Sequence, residues 1–285
     1  MCHGVCRIFP RTRYAPAKVI VRDACFAVRW EWRLDRLRLA LQSGLYFAAS
    51  FFGRVNLPAR GGSGARMYVL RRVWDVPTRL FHWAIVVLIC SSWVTQHEGW
   101  LDQHVLCGYA MTTLLLFRLI WGFAGSDTAR FAHFLKGPFA AFRHIVRLCR
   151  GEPDHEVGHN AAGGWMVLAM LGLLCVQVGT GLCANDEVSV EGPLARVVGP
   201  ANSDWLSHIH AVNFRLIEAV VALHLLAILT YRLVWGHRLV GPMVTGNKRL
   251  PDTLPVPRMT SPVKAIGALC AAVGLVAFVV LWFGS

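Results

Sequence analysis

Four histidines fall within or at the edges of apolar runs: His82 in RLFHW, His104 in HVLCGY, and His210 and His224 in HIHAVNFRLIEAVVALHLLA. Ionisable side chains are costly inside a bilayer, so those found there mark function by default. Imidazoles so placed can ligate a metal, join a proton path or bond a neighbouring helix. Fourteen residues separate His210 from His224, about 21 Å along a helix axis. At about 100° per residue that is four turns less about 40°, so both rings point to nearly one side. His208 lies about 160° away from His224 on the same reckoning and reads as an interfacial residue.

The elements that must carry these rings follow from composition. The chain has 285 residues, 55% hydrophobic and 16% charged, with a mean hydropathy of +0.46. Soluble domains carry about 25% charged residues, so this is an integral membrane protein rather than a soluble, fibrous or disordered one. The net charge of +13, from 29 Lys and Arg against 16 Asp and Glu, fits basic cytoplasmic loops better than nucleic acid. Nine cysteines are too scattered for a disulfide framework, and those in apolar runs behave as small hydrophobes.

Five stretches approach the roughly 20 apolar residues that a span needs: 80–95, 105–123, 164–184, 209–235 and 263–283. The 1–2 loop carries Glu98 and Asp102 without a basic residue. The 3–4 loop sets Asp186, Glu187, Glu191 and Asp204 against Arg196. The 2–3 loop holds Arg130, Lys136, Arg143, Arg147 and Arg150, and Arg238, Lys248, Arg249, Arg258 and Lys264 follow span four. The positive-inside rule then places the amino end and the basic loops in the cytoplasm.

Residues 1–66 hold 12 basic against 3 acidic residues. Trp30, Leu34, Leu37 and Leu41 would suit a basic amphipathic helix on an anionic membrane surface. No apolar core precedes a small-residue cleavage site, which argues against a secretory signal. Met67 stands just before the first span and is an alternative start. The expected organisation is a poorly ordered basic extension over 1–66, a helical domain over 67–250, and a linker with a fifth helix over 251–285.

Span direction assigns depth. His82 and His224 fall toward the cytoplasmic side, His104 and His210 toward the outer side, giving two pairs across a bundle core. Bundles build cofactor sites from side chains on facing helices. Haem iron accepts axial imidazoles, and its propionates can reach an interface. Zinc would need ligands convergent at one point, and a proton path would need more carboxylates than Glu218.

At these residues the chain resembles bacterial cytochrome b561, a family that shares its fold with the b-type cytochrome subunit of nickel–iron hydrogenases. The resemblance runs from about Val73 to Lys248. It rests on VWDVPTRLFHW, HVLCGY, LLLFRLIWGFAGSDTARF, GHNAAGG, TGL, GPLA, the His210/His224 spacing and MVTGNK. It implies an all-α integral membrane fold: a four-helix transmembrane bundle holding haem, here with a fifth C-terminal helix. It implies two non-covalent b haems with bis-histidine iron, their axial ligands His82, His104, His210 and His224.

It also implies electron transfer across the bacterial cytoplasmic membrane between the quinone pool and an external redox partner, such as a cytochrome c or a hydrogenase. In that light Arg79 and Arg118 are placed to bind propionates, though snorkelling would also explain them. Gly108, one turn after His104, lets a flat ring approach the helix, and Gly181 is placed to do the same. His159 would line a quinone site or cap the third span with Asn160. The absence of CxxCH argues against covalent haem, and no nucleotide-binding glycine motif is present. Alternative readings are the membrane anchor of a hydrogenase or formate dehydrogenase-like complex, and a histidine-lined transporter without haem.

Overall fold

The computed structural model describes residues 67–150, 156–186 and 190–284. The basic segment 1–66, with its expected amphipathic helix, lies outside the described residues. Strand β1 (Tyr68–Arg72) leads into α1 (Val76–His97), followed by α2 (Leu101–Ala124), the short α3 (Phe131–Phe134) and α4 (Pro138–Cys149). Then come α5 (Ala161–Leu182), the short α6 (Ala195–Val198), α7 (Pro200–Leu233), α8 (Val240–Thr245), β2 (Asn247–Pro251) and α9 (Pro262–Phe283). Helices α1, α2, α5, α7 and α9 are long and apolar enough to cross a membrane. The protein is a helical integral membrane bundle.

Local chemistry explains where the helices begin. Asp75 caps α1, its Oδ1 accepting from the Thr78 amide at 2.8 Å. Asn160 caps α5 by accepting from the Gly163 amide at 2.7 Å. These caps satisfy amide donors that the first turn leaves free. Helix α7 starts nine residues before the apolar run suggested, because Pro200 opens its first turn and suits that position. Its polar first turns are held by Ser203, which donates to the Cys183 carbonyl at 2.6 Å.

Helix α1 packs on α2, α2 on α5, and α5 on α7. Ile85, Met111, Leu115, Leu171, Leu174 and Ile217 form a buried layer drawn from these four helices. By position along α7, Ile217 stands midway between His210 and His224, so this layer separates the two histidine levels. Helix α9 lies against α2, burying Ala265, Ala268 and Ala272 beside Phe117 and Trp121. Small side chains permit such close approach between membrane helices.

One feature departs from an all-helical reading. Strands β1 and β2 pair antiparallel, Tyr68 opposite Pro251 and Arg72 opposite Asn247. The ribbon ties the start of α1 to the segment after α7. At its end the Gly246 carbonyl accepts from the amides of Val73 at 2.7 Å and Trp74 at 3.1 Å. Gly246 has φ +84°, and a Cβ there would sit 2.9 Å from the Trp74 oxygen. Glycine alone meets both conditions without strain. Trp121 then donates to Asp75 Oδ2 at 3.0 Å, locking α2 to the start of α1.

Candidate functional site

The four histidines occupy two levels. On α7 one face turns into the bundle, with Asn213 and Ile217 buried between His210 and His224. His208 is exposed. Since α7 is unbroken from Pro200 to Leu233, the axial separation of about 21 Å between its two imidazoles applies. Among the spanning helices α7 packs closely on α5 but not on α1 or α2. The histidines facing α7 come from just those two helices.

At the level away from the ribbon, His104 of α2 and His210 of α7 have ring centroids 6.2 Å apart with planes at 83°. His104 Nδ1 lies 2.9 Å from the Ser92 carbonyl of α1. His210 Nδ1 lies 2.9 Å from the Gln177 carbonyl of α5. A carbonyl only accepts, so both Nδ1 atoms carry the proton and both Nε2 atoms are left with a lone pair. In agreement, the Gln177 amide nitrogen lies 3.1 Å from His210 Nε2. Asn213 holds that amide by donating to Gln177 Oε1 at 2.7 Å and to the Leu173 carbonyl at 2.9 Å.

Gly181 lets the His210 ring lie against α5. A Cβ at this position would come within 2.9 Å of His210 Cε1. The glycine thus accommodates the imidazole itself, where the sequence suggested a larger planar ring. A Cβ at Gly108 would meet nothing within 4 Å.

At the ribbon level, His82 of α1 and His224 of α7 lie within electrostatic reach of each other. His82 Nδ1 is buried without a hydrogen-bond partner among the described residues. A third imidazole joins them. His159, just before α5, is wedged between the Trp74 ring, with centroids at 4.6 Å, and the Phe134 ring at 5.0 Å. Burial pushes its pKa down to about 3, helped by the Arg118 guanidinium and then by His224 and His82. It is neutral at ordinary pH, and its Nδ1 is also unpartnered among the described residues. Asn160, not His159, supplies the cap of α5.

Arg118 is 3% exposed, and its Nη1 finds no partner among the described residues. Its guanidinium stacks over Phe131, 5.0 Å from the centroid. Asp75 is within electrostatic range, but both of its oxygens are engaged by Thr78 and Trp121. Arg79 donates through Nη1 to the Val244 carbonyl and leaves Nε unpartnered among the described residues. The ribbon level therefore holds two cations with donor capacity to spare beside a histidine pair.

Among the described residues no three His, Cys, Asp or Glu side chains converge as a metal-binding group. His104 and His210 face each other as a pair, and His82 and His224 lie within electrostatic reach with His159 beside them. Imidazole nitrogens bound to one metal from opposite sides at about 2 Å each would hold their ring centroids about 6 Å apart. The His104/His210 centroid separation matches that figure, and the Gln177 amide now on His210 Nε2 has to yield that lone pair to a metal. The anchored Nδ1 atoms are the orienting bonds expected of metal-bound imidazoles.

Sequence reasoning missed Gln177, Asn213 and Thr180, whose Oγ1 is 3.3 Å from His210 Nδ1. Their polarity within apolar helices was the available signal, since interhelical bonds in membranes come from such residues. The burial of His159 had no comparable mark in the sequence.

The family model described as prokaryotic cytochrome b561 matches residues 73–246. That interval contains His82, His104, His210, His224, Arg79, Arg118 and Gly108, and stops short of α9. No curated protein and no solved structure matches the chain.

Proposed function

The chain belongs to the prokaryotic cytochrome b561 family, a family of membrane b-type cytochromes in electron transfer, and from that premise we propose that it carries two non-covalent b haems and links an external redox partner to the quinone pool. His104 and His210 are the axial pair of one haem, His82 and His224 of the other. The observation that carries this reading is the facing pair with centroids 6.2 Å apart, each ring anchored through Nδ1. Haem iron, when bound, would accept and release single electrons.

The chain's own residues set the conditions for that chemistry. Ser92 and Gln177 hold the two imidazoles by their carbonyls, fixing tautomer and direction. Arg118 and Arg79 offer charge-assisted donors to propionates at the ribbon level. Gly108 keeps the His104 face of α2 low, so a planar ring can approach it. The layer around Ile85, Leu115 and Ile217 keeps water and protons from passing between the levels.

The ribbon end faces the bacterial cytoplasm, where positive-inside loops belong. The opposite end carries Glu98, Asp102 and Glu191, suited to a basic redox partner such as a cytochrome c. Electrons then enter at the His104/His210 level and leave to quinone at the His82/His224 level. His224→Ala should leave donor oxidation intact and stop quinone reduction, whereas His210→Ala should block donor oxidation. A residual one-haem spectrum is the control in each. Quinone reduction at the native rate by His224→Ala would overturn the route.

A further inference from the structure

Helix α4 is not part of the histidine site. Its twelve residues divide into three sectors around the axis at about 100° per residue. His144 and Leu148 are buried and face the bundle. His144 Nε2 lies 3.3 Å from the Tyr231 hydroxyl, and Trp235 donates to the Leu148 carbonyl at 3.0 Å. Tyr231 belongs to the last turn of α7, and Trp235 follows just after its end. The helix is thereby clamped where two spanning helices, α5 and α7, meet the bilayer boundary.

The second sector is apolar and faces away from the protein. Phe139, Phe142 and Ile145 are 81%, 66% and 49% exposed. The third sector lies about 110° further round and carries Arg143 and Arg147, with Arg150 at the helix end, all exposed. None of the three arginines has an acidic partner among the described residues. The nearest described carboxylate in sequence, Glu156, is engaged by Lys136 at 2.7 Å.

We propose that α4 is an interfacial helix that binds anionic phospholipid, its aromatic sector among the acyl chains and Arg143, Arg147 and Arg150 on the headgroup phosphates. Charge complementarity selects the anionic headgroup, and an apolar sector next to the basic one selects a lipid over a soluble acidic partner. Tyr231 and Trp235, at the same level, are the residue types that mark a membrane–water boundary.

The test uses the full-length, haem-loaded protein in phosphatidylcholine vesicles, with spin-labelled phosphatidylglycerol or spin-labelled phosphatidylcholine as the probe. The immobilised fraction of each probe is read by electron paramagnetic resonance. Wild type should prefer phosphatidylglycerol, and rising salt should weaken that preference. At roughly fivefold per arginine near the surface, Arg143→Gln/Arg147→Gln/Arg150→Gln should lower it by on the order of a hundredfold.

The all-lysine triple variant should retain the preference. Phe139→Ser/Phe142→Ser should weaken both probes together. An unchanged haem spectrum shows that each variant has folded. If the glutamine variant does not fold, Arg143→Gln and Arg147→Gln taken singly decide, each expected to lower the preference about fivefold. Equal immobilisation of the two probes by wild type would overturn the proposal. So would an unchanged preference in the folded glutamine variant, or full displacement of phosphatidylglycerol by inorganic phosphate, which would indicate a free-anion site.

Discussion

Gly181 is the position where one methyl group separates local packing from ligand placement. In Gly181→Ala the added Cβ would stand 2.9 Å from His210 Cε1, against 3.4–4 Å for ordinary contact. The imidazole has to retreat by about half an ångström or more, away from the Gln177 carbonyl that orients it. Overpacking of this kind costs about 1–3 kcal/mol. That is roughly five- to 150-fold in the affinity of the His104/His210 level for haem. The helix itself should not suffer, because alanine is favoured over glycine in helix interiors by about 0.5–1 kcal/mol. The same substitution at Gly179 or Gly172, where a Cβ would meet nothing within 4 Å, gives the control. Haem retention during gel filtration and redox titration of the purified variants reads the outcome. Gly181→Ala should lose or shift one haem and keep the other, while Gly179→Ala keeps both. Equal behaviour of the two variants would refute the link between Gly181 and His210.

Asn213→Leu should leave Gln177 Oε1 without its donor and remove the second bond to the Leu173 carbonyl, which keeps its own helix bond, at a cost of about 1–3 kcal/mol, lowering the melting temperature and loosening the same haem first; a melting curve followed in the Soret band checks this. His159 has a folded pKa of about 3 against 6.5 for the free side chain, so the unfolded chain binds the extra proton between these values. Stability on its account is present in full above about pH 6.5 and is lost as pH falls toward about 3. His159→Phe should flatten that part of the stability–pH profile, and an unchanged slope would contradict the assignment. Deleting residues 1–66 should preserve membrane insertion and haem content, measured on isolated membranes; failure to insert would make the basic segment an element of assembly.

The spans and the charge pattern of their loops were legible because bilayer thickness and the positive-inside rule act on composition alone. The shared face of His210 and His224 was legible too, since helical rotation over fourteen residues is fixed by geometry. Boundaries were less so. The first turns of α7, with Asn202, Ser203 and Asp204, are polar yet helical because Ser203 finds a carbonyl across the bundle end. The ribbon was invisible, because 68–72 and 247–251 meet only once the helices have brought them together. The same holds for Gly181 against His210 and for His159 between Trp74 and Phe134. Those contacts depend on how helices are rotated against each other, which no single segment encodes.

The central claim is that the chain holds two haems by two histidine pairs. A pyridine haemochrome count on the purified protein, alongside His82→Ala and His104→Ala, tests it most directly. Two b haems per chain in the wild type and one in each variant is the predicted result. One haem or none in the wild type, or variants that lose neither haem, would contradict the pairing of His82 with His224 and of His104 with His210.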